Sequence, residues 1–204
     1  MMNPLSLIRE NVVSKSIDVV LSAYNDIIKS KKFETGNRAK EDVRRNQIVK
    51  TILANKAKYK FEYIVAMECS TYNEDCVTIG RMDICIYYSS NRFEQKSLSF
   101  ECKRYLNSNS GISAIEKTLY DEGINRYVTG KYPCDTGVGC LIAFCESGDY
   151  KKLSCNIKSV LKNHSVSTVY DDSTLFTHNF VYSTHMTDSK KQKFKIVVIL
   201  MDFS

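Results

Sequence analysis

The chain has 204 residues, 43% of them apolar and 25% charged, with a formal net charge of +6. No stretch approaches the ~20 consecutive apolar residues that cross a bilayer, and the amino terminus lacks an apolar run with a cleavage site, so membrane and secretory classes are excluded and a cytoplasmic protein is expected. Eight cysteines would suit a disulfide framework only in a small secreted chain, so reduced thiols are expected, and the absence of a CxxC pair, with His164, His178 and His185 at spacings that do not combine with the cysteines, argues against a familiar structural zinc pattern.

Two prolines, eight glycines and no repeat or low-complexity tract leave no linker. Residues 1–37 therefore read as an amino-terminal helix and connection belonging to the same domain as 38–204. The positive charge suits a polyanionic partner, although charge alone does not identify one.

In chain order, Ile17, Val20, Leu21, Tyr24, Ile27 and Ile28 recur at helical spacing over 14–30, and the polar run Lys29 to Asn37 ends that helix. So apolar a stripe either covers a sheet or serves as the contact of a homo-oligomer or partner subunit. A second helix is predicted over about 38–55, with Ile48, Val49, Ile52 and Leu53 as its apolar stripe and Glu41 and Asp42 in its first turns. Three strand-like segments follow at 61–70, 80–88 and 97–106, separated by turn-rich connections, and predict an antiparallel meander. After a turn at Asn107 to Gly111, residues 112–128 carry helical periodicity. VGCLIAFC (138–145) is a continuous apolar run, which means a strand buried on both faces. Tyr150 to His164 reads as a helix, the segments starting at Leu175 and Phe194 as closing strands, and KKQKFK (190–195) as a solvated turn before the last of them. The order is α/β with a mixed sheet flanked by helices.

Side chains alternate along a strand, so Glu101 and Lys103 of FECKRY share one face while Phe100 and Cys102 share the other, and Arg104 points away from the pair. In GRMDICIYY, Asp83 falls on the face of Arg81, Cys85 and Tyr87, opposite Met82, Ile84 and Ile86. A hairpin then sets Asp83 beside Glu101. An acid-x-lysine by itself is also what a solvated sheet face looks like. Two carboxylates converging with an amine make a hard-oxygen site suited to Mg²⁺, with Mn²⁺ as a substitute, and place Lys103 to orient water or stabilise phosphoryl charge.

An Asp on one strand followed by Glu101-Cys102-Lys103 on the next resembles the PD-(D/E)XK, or restriction-endonuclease-like, nuclease superfamily. Met82 stands where the proline of the motif's name would be, a position that makes no metal bond. The resemblance covers about Glu41 to Cys145 and implies a restriction-endonuclease-like fold. It also implies Asp83, Glu101 and a helix acid as metal ligands, with Lys103 as the catalytic amine. Glu41 matches the helix acid and Asp42 competes with it; both have helix-dipole stabilisation as an ordinary alternative, and Glu62 and Glu68 are weaker substitutes. Arg81, Arg126, Lys131 and Tyr127, with Tyr132, are candidate nucleic-acid contacts, cations interleaved with aromatics suiting a sugar–phosphate backbone.

No GxSxG elbow, GxxxxGK[ST] loop or GxGxxG loop is present, so acyl-transfer and nucleotide-cradle chemistries fall away. The expectation is an Mg²⁺-dependent endonuclease, on DNA in preference to RNA, in restriction, repair or anti-phage defence. The alternative is a catalytically silent, nuclease-like nucleic-acid-binding or interaction subunit.

Overall fold

The computed structural model describes residues 4–31, 33, 40–72, 75–91, 94–106, 111–171 and 180–204. His178, most of the polar run ending at Asn37, the turn from Asn107 and the start of the segment at Leu175 lie outside the described residues. The helices are α1 (Pro4–Ser30), α2 (Glu41–Ala54), α3 (Ile112–Ile115), a π-helical stretch (Glu116–Ile124) that runs on into α4 (Asn125–Val128), and α5 (Tyr150–His164). The strands are β1 (Ile64–Tyr72), β2 (Thr78–Asn91), β3 (Glu94–Tyr105), β4 (Val138–Cys145), β5 (Tyr170–Asp171), β6 (Phe180–Thr187) and β7 (Lys193–Asp202).

The strands form one seven-stranded mixed sheet in the order β1-β2-β3-β4-β7-β6-β5. β1, β2 and β3 are the antiparallel meander read from the sequence. β3, β4 and β7 run parallel and form the centre, where VGCLIAFC is buried on both faces apart from the partly exposed Val138. The two-residue β5 carries no sequence signal and was not expected.

Each face of the sheet carries its own helical layer and core. On one, Val20, Tyr24 and Ile27 of α1 and Ile48, Val49 and Ile52 of α2 pack on Ile84, Phe100, Ile142 and Ile199. On the other, Leu119, Ile124, Tyr127, Leu153 and Ile157 pack on Cys85, Tyr105, Leu141 and Val198. The stripe of α1 is thus consumed by its own sheet: Tyr24 is buried and its hydroxyl donates to the Asp202 carbonyl at 2.7 Å. The apolar pattern that suggested an oligomer contact through 14–30 is explained by intramolecular burial. α1 also begins ten residues earlier than its stripe indicated. Leu53, expected in the stripe of α2, is exposed, and Lys193 and Lys195 of the basic run are already strand residues.

α2 is anchored by an ion pair with no solvent exposure. Arg44 donates through Nε and Nη2 to both oxygens of Glu146, at 2.7 and 2.6 Å, and its guanidinium lies 4.0 Å from the Phe203 ring centroid. A bidentate pair of this kind tolerates no half-removal, because the surviving charge stays buried. All eight cysteines are free thiols. Among the described residues no helix is long and apolar enough to cross a membrane.

Glu146→Ala is expected to lower unfolding free energy by about 3–5 kcal/mol, read by urea denaturation. A loss below about 1 kcal/mol would show that α2 is held by its apolar face alone.

Candidate functional site: a carboxylate cleft at a fork in the sheet

The ladder between β2 and β3 ends at the pair Ile84–Phe100, one residue short of Asp83 and Glu101. Beyond it β3 keeps its parallel partner β4 through Tyr105 but, among the described residues, has no strand on its other side. Edge amides left without a strand partner need acceptors, and two carboxylates supply them. Asp83 Oδ2 accepts from the Cys102 N–H at 2.8 Å, and the Arg104 N–H donates to Glu41. The first turn of α2 thereby reaches the fork from the layer that packs on the opposite face.

Glu41, Asp83, Glu101 and Lys103 line one cleft of about 380 Å³ together with Arg81, Arg126 and Lys131. The alternation read from FECKRY holds: Glu101 and Lys103 share the face of Tyr105, while Phe100 and Cys102 enter the opposite core. The alternation read from GRMDICIYY needs one correction. Met82 packs with Cys85, sulfur to sulfur at 3.4 Å, and not with Ile84 and Ile86. The irregularity coincides with Glu68 on β1, a non-glycine residue at φ 54°, whose neighbours Met67 and Cys69 pair with Ile84 and Met82.

Glu101 is the most enclosed of the acids, its side chain 2% exposed. Lys103 Nζ lies 2.7 Å from its Oε1, and the Tyr132 hydroxyl donates to Oε2 at 2.7 Å. Burial pushes the Glu101 pKa up, and the Lys103 ammonium opposes that rise. Asp83 is paired with Arg45 Nη1 at 3.1 Å, while Nη2 of the same guanidinium holds Glu68 at 2.9 Å. Glu41 has its pKa pushed up to about 7, first by burial and then by the carboxylates of Asp83 and Glu101, with Lys103 pulling the other way. Asp42, its competitor, is exposed and accepts from the Val43 N–H at 3.0 Å, the local role an acid takes in a first helical turn.

Arg81, Arg126 and Lys131 reach the rim of the cleft. Tyr127 does not. Its ring is 2% exposed and lies flat on Gly139, where an added Cβ would stand 2.7 Å from a ring carbon. Its hydroxyl is shared between the Ser99 and Cys140 carbonyls, at 3.1 and 2.9 Å. The expectation that Tyr127 contacts nucleic acid is therefore corrected: it ties α4 to the sheet. Tyr132 is also buried, and its hydroxyl holds Glu101 and reaches the Arg81 carbonyl, so it serves the site from beneath.

Arg45 and the positioning role of Tyr132 were not foreseen. Arg45 carried one usable signal, its spacing four residues after Glu41, which puts both on one helical face. The pairing of Arg126 with Glu101 across 25 residues carried none. Gly123 in the π-helical stretch matters to the site as well. A Cβ there would meet Leu141 at 2.7 Å and the Lys103 side chain at 3.7 Å, so the missing side chain lets the helix sit down on Lys103. π-helical turns are uncommon and recur near functional sites.

The donor chemistry suits a hard divalent cation, since three carboxylates face one cleft. Among the described residues, however, no three His, Cys, Asp or Glu side chains are gathered into a metal cage. Arg45, Lys103 and Arg126 hold the acids individually. Mg²⁺ commonly takes only one or two protein carboxylates and keeps several waters, so the two observations are compatible. No protein-family model, curated protein or solved structure matches this chain.

The folded-state pKa of Glu41, about 7, lies above its ordinary 4.5. The stability contributed by its proton is fully present below the ordinary value and lost as pH rises through about 7. Glu41→Gln, which keeps the neutral form, is expected in EDTA to raise the melting temperature at pH 8 by about 4 °C, and to change it little at pH 5. Equal melting curves at pH 8 would mean that Glu41 is not under this electrostatic load.

Proposed function

We propose that the chain is a metal-dependent phosphodiester hydrolase with a restriction-endonuclease-like core, acting on nucleic acid and on DNA in preference to RNA. The observation that carries this reading is the meeting of Asp83, Glu101 and Lys103, from two neighbouring strands, with Glu41 from α2 in one polar cleft. The meander leading into three central parallel strands, with helices on both faces, supports it at the level of architecture.

In this reading Asp83 and Glu101 hold Mg²⁺ or Mn²⁺, with Glu41 as the third oxygen donor. The bound ion would supply a coordinated water of lowered pKa and neutralise charge on the phosphoryl oxygens. Lys103, buried beside Glu101, orients the attacking water or stabilises charge on the phosphate. Arg45 and Tyr132 keep Asp83 and Glu101 in place, and Arg81 and Lys131 present positive charge at the rim. A second reading, an anion-binding module without catalysis, is favoured by one observation: Arg45, Lys103 and Arg126 already neutralise the acids.

Incubation with single- and double-stranded DNA and RNA in Mg²⁺, Mn²⁺ or EDTA separates the two. Metal-dependent cleavage is expected, with Lys103→Ala and Asp83→Asn slower by at least about 100-fold. Binding without cleavage in any metal rejects the hydrolase, and a Lys103→Ala variant as fast as the parent rejects the role given to Lys103.

A further inference from the structure

Three cations touch the acids of the cleft, and they are used differently. Arg45 engages Asn46, Asp83 and Glu68 through Nε, Nη1 and Nη2, and Lys103 is buried against Glu101. Arg126 is 36% exposed and makes its contacts through Nη1 alone: Glu101 Oε1 at 3.1 Å, Oε2 at 3.2 Å and the Tyr132 hydroxyl. Among the described residues its Nε and Nη2 have no hydrogen-bonding partner.

Arg126 and Lys131 are also common to two adjoining clefts. One is the carboxylate cleft. The other, about 280 Å³, is lined by Asp121, Glu122, Asn125 and Thr129 besides the two cations. The cations therefore form a ridge between the site acids on one side and Asp121 and Glu122 on the other.

We infer that Arg126 is a two-sided anchor: Nη1 holds Glu101 while the Nε–Nη2 edge binds a phosphate of a nucleic-acid strand lying across the ridge. The inference rests on the phosphodiester reading of the carboxylate cleft. The Nε–Nη2 edge presents two parallel N–H groups, the geometry that engages two phosphate oxygens at once. Lys131 adds charge beside it, and without a bound cation the acids on both sides disfavour a phosphate off the ridge. One rigid guanidinium plane then joins substrate to Glu101, so strand binding also fixes a carboxylate of the site. Arg126 is in this sense a binding and positioning residue, distinct from the buried Lys103.

The test compares the parent protein with Arg126→Lys and Arg126→Gln. Mn²⁺ affinity is measured by calorimetry without nucleic acid, and binding of short labelled DNA and RNA oligonucleotides by anisotropy in EDTA across a salt series. A lysine can sit beside Glu101 but has no second edge. Arg126→Lys is expected to keep Mn²⁺ affinity within about twofold while binding oligonucleotide about 10-fold more weakly. Arg126→Gln should weaken oligonucleotide binding as well and lower the salt slope by about one phosphate contact. Oligonucleotide binding by Arg126→Lys equal to the parent overturns the anchor. So does a parallel loss of Mn²⁺ and oligonucleotide in that variant, which would mean that Arg126 acts only through Glu101. A parent that binds Mn²⁺ but no oligonucleotide also rejects the anchor. A parent that binds oligonucleotide but no Mn²⁺ rejects the hydrolase, and the anchor is still decided by the Arg126→Lys comparison.

Discussion

Where β2 parts from β3, the amides of Cys102 and Arg104 lose their strand partner, and the rest of the site follows from how they are satisfied. A buried N–H must find an acceptor. Asp83 supplies one from the departing strand and Glu41 the other from the first turn of α2. Backbone satisfaction and the gathering of acids are therefore one event: the carboxylates that complete the hydrogen bonding of β3 also line the cleft.

Gathering acids raises their energy unless positive charge comes with them. Glu41, Asp83 and Glu101 are balanced by Arg45, Lys103 and Arg126, each reaching in from a different element. The balance is graded by depth. Lys103 and Arg45 are nearly enclosed, Arg126 is partly exposed and Arg81 stands mostly in water. Charges toward the mouth are more strongly screened and freer to engage a ligand, whereas those beneath are committed to the protein.

The helical layers hold this arrangement from both faces. On one, the Arg44–Glu146 pair fixes the register of α2 against the end of β4, and with it the placement of Glu41 and Arg45. On the other, Tyr127 lying on Gly139 and Gly123 lying over Leu141 bring the π-helical stretch and α4 close to the sheet. That approach places Arg126 beside Glu101 and seats the Lys103 stem beneath a glycine. The contacts that shape the cleft are thus made largely by buried residues that do not line it.

The sequence by itself determined the elements and their faces. Period-two alternation put Glu101 with Lys103, helical period put Ile48 and Ile52 on the sheet, and an unbroken apolar run marked β4 as central. These are local properties, set by the backbone geometry of each segment. It did not determine that Met82 turns to the Cys85 side, that Tyr127 is a core residue, that Glu41 and not Asp42 enters the cleft, or that the stripe of α1 is used internally. Nor did it reveal the pairings of Arg45 with Asp83, Arg126 with Glu101 and Arg44 with Glu146, which join residues 38, 25 and 102 positions apart. Those depend on where β2 leaves β3 and how closely each helix approaches the sheet, and both are decided by packing between elements rather than by any pattern within one.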